Sequence, residues 1–203
     1  MKKEDQIKQA ADNYIVENIL YPFSEIMDEI LNDNSIYLEK FVLQIDQYLD
    51  KILQMQIKEK KDSINYIVFS FLYSGIDLGT FEIQLEAFDE KFYLDESPIT
   101  GKVKSYILEK YWNTDWNDFY IFMQKKIIRL QYSDIYPYRK LFITKYNKLI
   151  RTFLLQFIPI IIFLEKFQKI KKSDDFRILY GEYRSKCEVL YEVDKDEILY
   201  DQT

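Results

Sequence analysis

The sequence predicts an α+β fold, mainly helical, with four to seven helices packed with a small antiparallel β-sheet. Three observations carry that prediction. Apolar residues recur at steps of three and four over long stretches, one short stretch alternates residue by residue, and only four glycines and four prolines occur in 203 residues. So few turn-formers argue against a sandwich, barrel or propeller. With 48% hydrophobic and 17% aromatic content the chain can fill a core, and residues 1–203 are expected to form a single globular domain.

The opening segment to about Leu20 reads as a helix, and Pro22 suits the first turn of a second. From Ser35 the pattern strengthens: Leu38, Phe41, Ile45, Tyr48, Ile52 and Met55 repeat at helical spacing, Val42 and Leu49 widen the stripe, and Asn34 or Ser35 is a fitting N-cap. The charged stretch KEKKDS at 58–63 ends that helix. Asp62 or Ser63 can cap another through INYIVFSFLYSGI, whose aromatic and β-branched content also suits a strand. Gly75 and Gly79 mark a helix end and a turn. Phe81, Ile83, Leu85 and Ala87 then alternate with Glu82, Gln84 and Glu86, the pattern of a half-buried strand. Asp89, Glu90 and Lys91 form its turn, and Phe92, Tyr93 and Leu94 read as the return strand.

Helix resumes around Lys102 to Tyr111, pauses at Asn113 and restarts at Thr114, with Trp116, Phe119, Tyr120, Met123, Ile127 and Leu130 as its apolar stripe. Asp115 and Asp118 fall on that first turn, where acids favour the positive end of the helix dipole. From Pro137 the longest helix runs to about residue 170, with Pro159 inside it as a kink or junction. Residues 176–193 fit a helix or a hairpin turning at Arg184 to Lys186; Gly181 weakens a helix and favours the hairpin.

Composition narrows the chemistry. There is no histidine and one cysteine, Cys187, so zinc sites, histidine-assisted nucleophiles and internal disulfides are ruled out. No glycine-rich phosphate loop occurs. No cofactor or metal is expected. The first twenty residues interrupt any signal-peptide core with charges, and the apolar run Thr152 to Leu164 falls short of a membrane span, so the chain is expected to be cytoplasmic with no transmembrane segment.

Carboxylates remain. Glu82, Glu86, Asp89, Glu90, Asp95 and Glu96 cluster on the proposed hairpin, where they suit a divalent-metal enzyme, a partner surface or an ordinary solvated face. Both tryptophans lie in YWNTDWNDFY; Trp116 fits the core stripe, whereas Trp112 suits core or interface equally. Charge is segregated: Gln124 to Lys172 carries +10 in a chain of net −6, leaving −16 elsewhere. Missing catalytic motifs, segregated charge and aromatic wealth together predict a protein-binding module acting stoichiometrically, of inhibitor, immunity or adaptor type. Its expected contact residues are Glu82, Glu86, Asp89, Glu90, Lys91 and Trp112. The alternative is a nucleic-acid or anionic-surface binder using Lys140, Lys145, Lys148 and Arg151 on the basic helix of residues 137–172.

Overall fold

A computed structural model of the chain describes residues 2–19 and 36–193. The expectations placed on Pro22, Asn34 and Ser35 lie outside the described residues. In chain order the elements are α1 (Lys3–Ile19), α2 (Ile36–Ile57), β1 (Ile64–Phe71), α3 (Tyr73–Asp77), β2 (Glu82–Phe88), β3 (Ile99–Lys104), α4 (Tyr106–Lys126), α5 (Tyr132–Ile135), α6 (Arg139–Phe163), α7 (Glu165–Lys169), β4 (Lys172–Glu182) and β5 (Cys187–Glu192). Short 3₁₀ turns occupy Phe92–Leu94 and Tyr136–Tyr138. They divide into two compact units, each discontinuous in sequence: Met1–Leu38 with Tyr106–Ile150, and Glu39–Ser105 with Arg151–Thr203.

The first unit is helical. α1 buries Ile7, Ala11 and Ile15 at steps of four, and Tyr14 sets its ring 5.3 Å from Phe119 and 4.8 Å from Phe122 of α4. α4 turns Trp112, Trp116, Phe119 and Met123 inward, where Phe142 and Tyr146 of α6 meet the indoles edge-on. The expected pause at Asn113 does not occur. Asn and Thr cost a helix only about 0.6 kcal/mol each, less than the roughly 1.5–3 kcal/mol gained by burying one large apolar side chain of the stripe. Asp115 and Asp118 therefore lie inside α4 rather than at a helix start.

The second unit holds a five-stranded sheet in the order β3-β2-β1-β4-β5. Contrary to the expected antiparallel sheet, it is mixed, because β1 runs parallel to β4 and antiparallel to β2. A parallel pair needs a long crossover, and no local pattern reveals a partner about a hundred residues away. INYIVFSF, expected as a capped helix with strand as the alternative, is the central strand β1. It is buried along most of its length, so the alternation that marks a half-buried strand is lost. The return strand after β2 is β3, not Phe92–Leu94, and helix starts at Tyr106 rather than Lys102. Residues 172–192 form the favoured hairpin, with Gly181 opposite Cys187.

α2 and the second half of α6 bring Phe41, Phe153 and Phe157 together at 4.8–5.5 Å. Gly101 admits the Tyr48 ring, which a Cβ there would meet at 2.4 Å, and the Tyr48 hydroxyl donates to the Ile99 carbonyl at 2.8 Å. α2 ends in a reciprocal pair of backbone bonds, Glu59 N to Gln56 O and Lys60 N to Met55 O, with Glu59 left-handed at φ 55°. α6 stops at Phe163, short of the predicted end near 170, and keeps Pro159 on its exposed side, where water can satisfy the freed carbonyl of Leu155. By length and composition alone, Tyr132–Phe163 is long and apolar enough to cross a membrane, and 44% of its most apolar window is buried.

Candidate functional site

The second unit presents one loop that is held from several directions. Between β2 and β3 the chain makes residues 89–97, and Lys61, just before β1, inserts its ammonium beneath them. Lys61 Nζ donates to the Asp95 carboxylate, to Asp89 Oδ2 at 3.2 Å and to the Ser97 carbonyl at 3.5 Å. Asp95 in turn accepts the amides of Asp89 at 3.0 Å and Ser97 at 2.9 Å. The Lys61 and Asp95 side chains are 4% and 1% exposed. Burial pushes the Asp95 carboxyl up, but Lys61 and those amides outweigh it and hold it below the usual carboxylate range.

Phe92 is left-handed at φ 53°, a strained conformation for a bulky residue. That reversal lays Phe92 4.9 Å from Tyr66 and 5.4 Å from Phe88, and Tyr93 5.5 Å from Phe88. Leu94 is left pointing out, 81% exposed, beside exposed Glu90, Lys91 and Glu96.

Under the same turn the sheet carries buried polar groups. Ser70 and Glu86 sit at diagonal positions of the β1–β2 pair, 0% and 5% exposed, and Ser70 Oγ and Glu86 Oε2 have no hydrogen-bond partner. Burial raises the Glu86 carboxyl, and the Arg184 charge only partly opposes it. Tyr93 Oη contacts Cys187 Sγ at 3.4 Å.

Of the residues expected at a partner surface, Asp89, Glu90 and Lys91 belong to this loop. Glu82 pairs with Lys102 at 2.8 Å across β2–β3. Glu86, expected on an exposed strand face, is buried because the Phe92–Leu94 turn folds over that face. Trp112 is 2% exposed and packed in the other unit's core, so it offers no face to a partner. On α6, Lys140 and Lys148 are exposed, Lys145 donates to the Ile15 carbonyl at 3.3 Å, and Arg151 pairs with Glu188. Among the described residues no three Asp, Glu or Cys side chains converge as a metal-binding group; Asp89 and Asp95 converge on an ammonium instead. Asp115 accepts the Tyr146 hydroxyl at 2.5 Å.

The pin itself went unread in sequence. Lys61 stood in a charge run, and Asp95 one residue past the expected return strand; the one signal pointing to them is a pair of aspartates six apart enclosing an apolar FYL. In the first unit, α1 and the end of α4 border a groove of about 860 Å³, lined on one side by Gln6, Gln9 and Asn13 and on the other by Phe122, Lys126 and Ile128. No protein-family model, curated protein or solved structure matches this chain.

Proposed function

We propose that the chain is a stoichiometric protein-binding module whose contact element is loop 89–97. One observation supports this reading above the others: a loop pinned by a buried ion pair and by edge-on and tilted aromatic contacts holds an isolated leucine out to solvent. Rigid loops lose little conformational entropy on docking, and an apolar centre within a polar rim is the ordinary layout of an interface. The strain at Phe92 has the same sense, since a bulky left-handed residue persists only where its surroundings over-determine it. Glu90, Lys91 and Glu96 would then set orientation and partner choice.

The test compares two equivalent changes. Leu94→Asp removes the anchor, and Leu78→Asp alters a leucine of similar exposure, 77%, outside the loop. Enrichment from source-cell extract, with the complex mass then measured by light scattering, should yield a one-to-one complex for wild type and Leu78→Asp. Leu94→Asp should bind about thirtyfold more weakly or worse, the loss of an anchor worth 2 kcal/mol. Equal enrichment by both variants would overturn the reading.

A further inference from the structure

We propose that Glu86 is a proton-operated latch under loop 89–97, closed while its carboxyl is neutral and released when the carboxyl ionises. The inference rests on the reading of that loop as the contact element for its consequence, not for its mechanism.

The geometry starts from an unpaired acid in an apolar layer. Glu86 lies next to Phe88 on one face of β2, with Val68 of β1 and Thr100 of β3 as its register partners. Phe92 and Tyr93 pack on the same layer, against Val68, Phe88 and Leu179. Oε2 meets no donor. An ionised carboxylate in that place gives up hydration at Oε2 with no donor there to replace it, whereas the neutral acid is tolerated. The cheapest way to rehydrate it is to lift the element with the fewest backbone ties, which is the 3₁₀ turn rather than a strand of the sheet.

The other groups in range do not supply the missing partner. From the β4–β5 turn Arg184 acts on Glu86 through its field without an ion pair, and from the loop Tyr93 adds a phenol that burial and the Cys187 contact keep protonated. Ser70 offers an unpartnered hydroxyl from β1. Lys102 of β3 is engaged by Glu82. Tyr48, from α2, senses Glu86 while bonded to Ile99.

The sign follows from linkage. With the closed-state carboxyl raised above its free value, the closed state holds the proton longer than the open one, so acid favours closure and rising pH favours opening. Between the free value and the raised one the opening constant climbs about tenfold per pH unit, then levels off.

Hydrogen–deuterium exchange of the 88–97 backbone, corrected for intrinsic rates and measured on the full chain from pH 5 to 9, tests this without any partner. Wild type should lose protection in the loop as pH rises, while β1 stays protected. Glu86→Gln should keep the loop protected throughout, and Arg184→Gln, which removes the cation that favours the ionised closed state, should deepen the loss and carry it on to higher pH before it levels off. Flat wild-type protection, or the same loss in Glu86→Gln, would overturn the latch; should Glu86→Gln not fold, a loss in Arg184→Gln no deeper than the wild type's at the upper end of the pH range does so. A latch that fails while Leu94→Asp still abolishes binding leaves the docking loop standing.

Discussion

Lys61 keeps an ammonium 4% exposed between two carboxylates, and that arrangement is strong only while all its members are present. Replacing a whole buried pair by apolar residues is often neutral, whereas deleting one partner strands the other charge, at roughly 3–5 kcal/mol. Lys61→Met should therefore cost about that much in urea denaturation, and adding Asp95→Leu should recover part of it. If Lys61→Met alone is neutral, the pair does not hold the loop. Acid should act on the same bond. Asp95 is held below its ordinary value when folded, so its contribution is complete above the unfolded-state value of about 3.9 and is lost as pH falls from there through the lower folded one. The Lys61→Met chain should show a smaller loss, since only the Asp89 and Ser97 amides then favour the carboxylate, which sets it apart from the Glu86 effect of opposite sign.

Among the elements, the contact between α2 and β3 leaves no room for a single added methyl group. A Cβ on Gly101 would stand 2.4 Å from Tyr48 Cδ2, in a side chain whose hydroxyl is already tied to the strand it covers. Gly101→Ala should destabilise by roughly 1–3 kcal/mol through overpacking, and Tyr48→Ala in the same chain should relieve the clash while opening a cavity. Additive costs in a double-mutant cycle would place the strain elsewhere. The helix was legible here and the contact was not. Phe41, Ile45, Tyr48, Leu49 and Ile52 announced α2 by spacing, and all are buried; the role of Gly101 depends on a ring from another element, which no local pattern shows. The same division runs through the candidate site. Glu82, Glu86 and the turn at Asp89 to Lys91 were visible as an alternating strand and its polar break. The cover over Glu86 was not, since Phe92–Leu94 looks like a strand until Asp95 and Lys61 bend it. Trp112 was undecidable, because one amphipathic side chain serves a core or a surface equally well.

At the scale of the whole molecule the chain order is the informative fact. The sheet of the second unit is assembled from two segments, with β1 lying between β2 from its own segment and β4 from the other. β4 aligns Ile178, Leu179 and Tyr180 with Ile67, Val68 and Phe69, so removing it uncovers an apolar central strand along its full edge. Such an edge is a template for aggregation rather than a stable boundary. The fragment 39–105, although it contains most of α2 and three strands in sequence order, should show no cooperative urea transition by circular dichroism and should associate at micromolar concentration. Supplying 151–203 by co-expression should restore a soluble species with strand signal and a single transition, because that segment returns β4, β5 and the aromatic half of α6 that meets Phe41. A cooperative, monomeric 39–105 fragment would mean that the antiparallel part β3-β2-β1 with α2 is self-sufficient. The parallel pairing would then be an addition to the fold and not its centre.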